Sequence, residues 1–150
     1  MFFITKSIII NAQLNVNTNV TAQQLVNSII GQNVTVSNVT LNCNSGAFGI
    51  FTANGTNLGL SSGIILTTGN ATNAIGPNTY TSLSTFHLSP GDPDLDNIIA
   101  PDQTYDACVL EFDIIPKCDT LGLSFVFGSE EYPEWVGFAN DVFAFFISGP

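Results

Sequence analysis

Positive charge is nearly absent from this chain of 150 residues: two Lys and Arg side chains stand against twelve Asp and Glu, for a formal net charge of −10. Binding to nucleic acid or to an anionic bilayer requires several cationic contacts that displace counterions. The composition therefore excludes both as favoured partners. The chain also has no uninterrupted apolar run of about 18 residues, so no segment predicts membrane insertion as a helix.

Cysteine and histidine are also scarce, with three and one copies, and their spacing excludes a structural zinc site. Cys43, Cys108 and Cys118 allow at most one internal disulfide. The sequence favours three reduced, buried thiols, the usual state of free cysteines. The alternative is a Cys108–Cys118 bridge across a turn, provided that the register brings the two Cα atoms within about 7 Å.

The length and the 45% hydrophobic content suit one globular domain. Residues 1–12, MFFITKSIIINA, combine Lys6 with an apolar run and predict the remnant of a secretory signal peptide, with an ordinary first strand as the alternative. The β domain is then expected to occupy residues 13–150. Every acidic residue lies at or after Asp92, whereas the first 91 residues are rich in the Asn, Thr, Ser and Gly that favour turns.

One short helix is predicted in VTAQQLVNSIIG. Thr21 and Gln24 have the spacing of a capping box, and Val20 can pack on Leu25. Gly31 is expected to end the helix in a left-handed conformation.

Short β-strands are predicted for most of the remaining chain. Val34 and Val36 alternate with polar residues, and glycines separate apolar pieces such as AFGIF and GIILTTG. Residues 70–106 lack strong periodicity and are expected to form a long loop. The alternating runs CVLEFDII and LGLSFVF, separated after Pro116, predict a β-hairpin with one apolar face.

The last run, DVFAFFISGP, is apolar on both faces and predicts a central strand. Since an edge strand of this kind would expose apolar surface, the domain is expected to continue beyond Pro150. The predicted fold class is all-β, with sandwich or jelly-roll-like antiparallel sheets and one short N-terminal helix.

The first acidic cluster, GDPDLDN, places Asp92, Asp94 and Asp96 at alternate positions. Three carboxylates converge only if a positive charge offsets their repulsion, and Ca²⁺ takes six to eight oxygen ligands from flexible loops. The segment is not an EF-hand, because Asn97 and Gln103 occupy the turn-glycine and closing-glutamate positions. The cluster predicts a calcium site, with solvated acids as the alternative.

The second acidic cluster lies between two apolar runs and has no adjacent Lys or Arg, so its carboxylates must be hydrated, protonated or bound to a cation. We expect a Ca²⁺-supported loop; the alternatives are a solvated loop and a catalytic carboxylate pair of the glycoside hydrolase kind. Tyr132 and Trp135 beside the acids can stack on a sugar or pack internally. The candidate ligands are Glu130, Glu131, Glu134, Asn140 and Asp141.

No residue is predicted to be catalytic. His87 has Ser82, Ser84 and Ser89 nearby in sequence, but serine is abundant in this chain and a catalytic triad is defined by geometry. A lone, partly exposed loop histidine is the favoured interpretation.

Four segments together resemble the choice-of-anchor L domain, a module of bacterial surface and secreted proteins. FVFGSEEYPE followed by NDVFAFFISGP is the most specific combination, and the likeness runs from about Gln13 to the last residue. The four segments are TAQQLVNSIIGQNVTVSNVT, GIFTANGTNLGLSSGIILTTGNATNAIGPN, DACVLEFDIIPKCDTLGLSFVFGSEEYPEWV and NDVFAFFISGP.

The resemblance implies a β-rich extracellular module without established enzymatic activity, in proteins that differ in how their C-termini are attached to the cell surface. It also implies that the domain runs on past the SGP motif. With the acidic loops, it predicts a non-catalytic adhesion or surface-display module stabilised by Ca²⁺, whose partner is an extracellular protein or glycan. The alternatives are a lectin-like module using Tyr132 and Trp135, and a glycoside hydrolase using Glu130 or Glu131 with Asp141.

Overall fold

The computed structural model describes residues 13–78, 80, 83–117, 119–129, 132 and 135–149. The predicted signal-peptide remnant at residues 1–12 lies outside this part of the chain. A 3₁₀ helix spans Ala71–Ile75. The other elements are β1 (Gln13–Asn17), α1 (Ala22–Ile29), β2 (Val34–Asn42), β3 (Phe48–Asn54), β4 (Ser62–Leu66), α2 (Pro93–Ile99) and β5 (Val109–Pro116).

The strands form two antiparallel sheets. One has the order β1-β3-β4, and the other pairs β2 with β5. The β2–β5 register is interrupted by an irregularity between Ser37 and Thr40, where Asn38 adopts a φ of 51°. The pairing resumes and ends with Asn42 opposite Val109. The fold is therefore mostly antiparallel β structure with two short α-helices.

The N-terminus of α1 has the predicted capping box. The Thr21 Oγ1 accepts the backbone N–H of Gln24 at 3.2 Å, and the Gln24 Oε1 accepts that of Thr21 at 2.8 Å. The prediction for the C-terminus is wrong, because the helix ends at Ile29 and Ile30 is the extended cap residue. The Ile30 N–H donates to the Val26 carbonyl oxygen, so the last turn closes without a left-handed Gly31.

The small core forms where α1 meets both sheets, since the helix contacts β2, β3 and β4. Leu25 and Val26, adjacent on α1, are fully buried. Phe51 from β3 is also buried, because β3 is the central strand of its sheet. The other buried apolar residues in the described part of the chain are the alanines Ala47, Ala53 and Ala71.

Residues 70–106 differ from the predicted loop, because they contain the 3₁₀ helix and α2. The expectation of a single helix is therefore wrong. By contrast, the strand predictions around Val34, in AFGIF and in GIILTTG are confirmed by β2, β3 and β4.

The alternation predicted for β5 is confirmed: Leu110, Phe112 and Ile114 are half-buried, whereas Glu111 and Asp113 are exposed. The predicted hairpin is wrong, since the described residues 119–129 contain no strand and β5 pairs instead with β2, about half the chain away. Alternation defines which face of a strand is apolar but not which strand lies beside it.

Within the described residues from 119 to 149, no segment is assigned to a helix or strand, contrary to the strands predicted for LGLSFVF and DVFAFFISGP. These two runs nevertheless meet, because the rings of Phe125 and Phe143 lie 5.3 Å apart at an interplanar angle of 35°. Large apolar side chains in this part remain exposed, including Leu121, Leu123, Phe125, Phe127, Phe138, Phe145 and Ile147.

Candidate functional site

The first acidic cluster forms the start of α2 rather than a loop. The Asp92 Oδ1 accepts the backbone N–H groups of Asp94 at 2.9 Å and Leu95 at 3.2 Å, and Pro93 occupies the first helical turn. Helices commonly begin with Asp at the N-cap followed by Pro. The Asp side chain accepts hydrogen bonds from the free backbone N–H groups of the first turn, and Pro lacks an N–H that would otherwise be unpaired. This signal was present in the sequence.

Asp92 and Asp96 converge on Thr104. The Asp96 Oδ1 accepts the Thr104 N–H at 2.6 Å and its hydroxyl at 2.7 Å, and the Asp92 N–H donates to the Thr104 Oγ1 at 2.9 Å. The side-chain and then the backbone hydrogen bond from Thr104 lower the pKa of Asp96. Asp94 is exposed and makes no contact with Thr104 among these bonds. Thr104 thus contacts the Asp96 carboxylate and the Asp92 backbone, whereas the Asp92 carboxylate caps α2.

Most of the second acidic cluster, namely Glu130, Glu131 and Glu134, lies outside the described residues. The Asn140 Oδ1 accepts the Gly137 N–H at 3.3 Å, and Asp141 is half-buried. Within the part of the chain that the structure describes, no group of three or more His, Cys, Asp or Glu side chains could hold a metal ion. Calcium binding therefore stays a prediction.

The two aromatic side chains predicted to bind a ligand are both open to solvent. Tyr132 is 75% exposed and Trp135 is 50% exposed. The alternative of internal packing is wrong for Tyr132, whereas Trp135 is accessible over half of its surface.

A buried carboxylate that the sequence did not single out lies at the centre of a hydrogen-bond network. Asp106 is 6% exposed, and its Oδ1 accepts the backbone N–H of Ser89 at 2.7 Å and the Ser89 hydroxyl at 3.0 Å. Its Oδ2 accepts the backbone N–H of His87 at 3.0 Å. Asp106 also has a φ of 54°, in the left-handed region that Asp tolerates better than most residues.

The network keeps this carboxylate ionised without a cation. Burial alone raises the pKa of Asp106, but hydrogen bonds from Ser89, His87 and Leu88 together outweigh burial and hold the pKa below its ordinary value. Several N–H donors directed at a carboxylate favour its charged form, as they do in anion-binding sites. Asp106 therefore acts as an internal anion for the segment 87–89.

His87 takes part in this network through its backbone. Its side chain is half-buried, and the Nε2 atom is buried without a hydrogen-bond partner. The Ser89 hydroxyl donates to Asp106 and accepts from the Asn44 Nδ2 at 2.7 Å, whereas Ser82 lies outside the described residues. The Ser89 hydroxyl thus binds Asp106 rather than the His87 side chain.

A disulfide joins Cys43 to Cys108, with their Cα atoms 4.2 Å apart. The prediction of three reduced thiols is wrong, and so is the alternative Cys108–Cys118 pair; Cys118 itself lies outside the described residues. The pairing follows from the sheet, because Cys43 and Cys108 come directly after Asn42 and before Val109, which lie opposite each other in β2 and β5. Sequence spacing could not reveal this contact between distant segments.

Two grooves share Pro90 and Gly91 as lining residues. One of about 170 Å³ is lined in addition by Cys43 and Ser89, and the other, of about 320 Å³, by Asp96 and Thr104. Pro90 and Gly91 therefore lie between the groove beside the disulfide and the groove beside the acidic start of α2.

These features describe a mostly antiparallel β domain, crosslinked by a disulfide and strongly acidic in its C-terminal part. Comparison with protein families gives a match to the Choice-of-anchor L domain over residues 13–150. Because the match covers nearly the whole chain, the protein belongs to the Choice-of-anchor L domain family. Membership indicates a surface-associated module, in a protein that is secreted or located at the cell surface.

Neither the comparison with curated proteins nor the comparison with solved structures gave a match. Among the described residues, no helix has the length and apolar character that a membrane span requires.

Proposed function

We propose that this chain is a non-catalytic extracellular adhesion or surface-display module, with sheets arranged as a sandwich. The observation that carries the proposal is the Cys43–Cys108 disulfide, because such bonds persist in oxidising compartments outside the cytosol. The family membership supports the same location. Exposed aromatic side chains at Tyr132 and Trp135 offer contact area for a partner.

A bead-attachment assay tests the adhesive role. Beads coated with the oxidised chain are passed over surfaces carrying extracellular-matrix protein or polysaccharide, and beads coated with serum albumin measure background retention. Retention above background on one of these surfaces supports adhesion. Retention at background on all of them contradicts the adhesive role.

Ca²⁺ is the proposed stabiliser of the acidic loops. Lys6 and Lys117 are the only Lys or Arg residues in the sequence, and neither lies within the acidic segment 130–141. The Asp92 Oδ1 accepts hydrogen bonds from the α2 amides, and the Asp96 Oδ1 accepts one from Thr104. An ion bound by these residues would contact the other carboxylate oxygen, Oδ2. Ca²⁺ at a hundred times its dissociation constant would add about 2.7 kcal/mol to the free energy of unfolding.

Calorimetric titration with CaCl₂, together with thermal unfolding in Ca²⁺ and in EGTA, tests this stabilisation. Heat of binding and a higher Tm in Ca²⁺ are expected. An Asp92→Asn variant keeps a good N-cap but loses the carboxylate, so it separates ion binding from helix capping. Identical Tm values in Ca²⁺ and EGTA, without heat of binding, would contradict the calcium proposal.

The second candidate is a lectin-like module, favoured by the exposure of Tyr132 and Trp135. Both rings can stack on the apolar face of a sugar. A glycan array probed with the wild-type chain and with Trp135→Ala tests it, and Phe138→Ala, which removes a side chain that is 91% exposed, is the matched control. Binding that survives Trp135→Ala, or a blank array for the wild type, would count against this candidate.

The third candidate, a glycoside hydrolase using Glu130 or Glu131 with Asp141, has no supporting geometry among the described residues, since both glutamates lie outside them. A retaining or inverting mechanism requires carboxyl groups about 5–10 Å apart across a cleft.

A further inference from the structure

The segment 87–90 is bound by two residues that lie next to the disulfide in sequence. Asn44 follows Cys43 directly, and Asp106 precedes Cys108 by two residues. Their side chains meet at Ser89, where the Asn44 Nδ2 donates to the hydroxyl at 2.7 Å and the hydroxyl donates to the Asp106 Oδ1 at 3.0 Å. The two side chains that bind Ser89 thus come from the two chain segments that the disulfide connects.

Backbone contacts extend this attachment. The Asp106 N–H donates to the Ser89 carbonyl oxygen at 3.1 Å, and the Ala107 N–H donates to that of Pro90 at 3.2 Å. β2 and β5 pair only as far as Asn42 and Val109, so beyond this point the disulfide is the covalent link that keeps Asn44 and Asp106 together.

The apolar side chains at this segment contribute little to holding it in place, whereas the His87 side chain is half-buried. Leu88 is 92% exposed and Phe86 is 78% exposed. Leu88 also has a φ of 60°, a conformation that residues with a Cβ atom disfavour. Such an exposed and strained backbone persists only when surrounding contacts impose it, and here those contacts are the hydrogen bonds to Asp106.

We propose that the Cys43–Cys108 disulfide and Asp106 form a redox-dependent latch that docks segment 87–90 in the oxidised protein and releases it on reduction. The proposal deepens the proposed extracellular function, on which it rests: the latch closes when the exported chain meets a disulfide oxidant, which accepts the two electrons and two protons released as the Sγ–Sγ bond forms and becomes a dithiol. A dithiol supplies two electrons and two protons in the reverse step: the Sγ–Sγ bond breaks, Cys43 and Cys108 become thiols, and the dithiol becomes a cyclic disulfide.

Amide hydrogen exchange followed by NMR tests the latch in the full chain. The Cys118→Ser background prevents thiol exchange with the third cysteine, and dithiothreitol is the reductant. Reduction is expected to accelerate exchange at His87 and Ser89 at least tenfold. The Ala53 amide, bonded to the Ser61 carbonyl oxygen in the other sheet, should keep its rate. Unchanged rates at His87 and Ser89, or an equal acceleration at Ala53, would overturn the proposal.

A second measurement uses the oxidised protein. Asp106→Asn should accelerate exchange at His87 and Ser89 without reductant, whereas Asp113→Asn, on the exposed face of β5, should not. If Asp106→Asn does not fold, real-time exchange after adding dithiothreitol to the folded wild-type chain decides the matter. Exchange rates do not depend on any surface ligand, so a failed attachment assay and a failed latch are separate results.

Discussion

Asp106 and Ser89 bind each other through both backbone and side chains. The Asp106 Oδ1 accepts the Ser89 N–H at 2.7 Å and the Ser89 hydroxyl at 3.0 Å, while the Asp106 N–H donates to the Ser89 carbonyl oxygen at 3.1 Å. This reciprocal contact joins two segments that have no regular strand pairing between them beyond the bridge from Pro90 to Tyr105. Several measurable properties of the chain depend on it.

Asp106→Asn is expected to lower the free energy of unfolding by about 1–3 kcal/mol, since the amide replaces a buried acceptor oxygen with an N–H₂ donor facing backbone N–H groups. Urea unfolding measures the loss. Asp113→Asn changes an exposed carboxylate on β5 whose hydrogen bond from the Asn38 side chain an amide oxygen can still accept, so it should alter stability by about 0.5 kcal/mol or less. Equal effects of the two substitutions would contradict the role assigned to Asp106.

The free energy of unfolding should fall at acidic pH because Asp106 becomes protonated. Because the pKa of Asp106 is lower in the folded chain than its ordinary value, its contribution is fully present above that ordinary value and is lost as the pH falls through the folded pKa. The difference in unfolding free energy between the wild type and Asp106→Asn should therefore be constant from pH 7 to about 5 and shrink below about 4. A difference that stays the same down to pH 3 would exclude this linkage.

Replacing Cys43 and Cys108 by serine together should cost about 4 kcal/mol, because the disulfide spans a sequence separation of 65 residues and constrains the unfolded chain accordingly. Chemical denaturation under non-reducing conditions measures the change. Cys118→Ser leaves this disulfide intact and is the matched control. A double variant as stable as the wild type would show that the crosslink does not constrain the unfolded chain.

Thr21→Ala should destabilise the chain by about 1 kcal/mol, since it removes the acceptor for the Gln24 N–H at the start of α1. Thr21→Ser keeps the hydroxyl and should stay within a few tenths of a kcal/mol of the wild type. The comparison is made by thermal unfolding, and indistinguishable Tm values for the alanine and serine variants would contradict the cap assignment.

Gly91→Ala should cost about 1–3 kcal/mol, because a Cβ at this position would clash with the backbone carbonyl and hydroxyl oxygens of Thr104. Gly122→Ala places its Cβ where no atom lies within 4 Å and should be nearly neutral. Urea unfolding of the two variants provides the measurement. A neutral Gly91→Ala would mean that the Thr104 segment can move away without loss.

The local features of the fold could be predicted from the sequence, whereas the contacts between distant segments could not. The capping box depends on Thr21 and Gln24 alone, so four consecutive residues contain the whole signal. The alternation of β5 correctly identified its exposed acids, but its partner β2 lies about half the chain away. The Cys43–Cys108 disulfide also joins these two distant segments, so no local sequence pattern predicts it.

The candidate site divides in a similar way. The sequence predicts Asp92, Asp94 and Asp96 as calcium ligands, and that prediction remains untested; what it does not predict is that Asp92-Pro93 begins a helix or that Asp96 binds Thr104. Asp106 carries no local pattern at all, since its donors come from residues 87–89. Only the folded backbone brings that carboxylate and those amides together.

The position of the disulfide also determines what a single proteolytic cut can do. β3, β4, the 3₁₀ helix and α2 all lie between Cys43 and Cys108. A protease that cleaves once in the exposed stretch around Leu88 therefore produces two polypeptides that remain covalently attached and separate on a gel only after reduction. Outside the cell, where peptidases are common, the module can be nicked there without shedding either fragment.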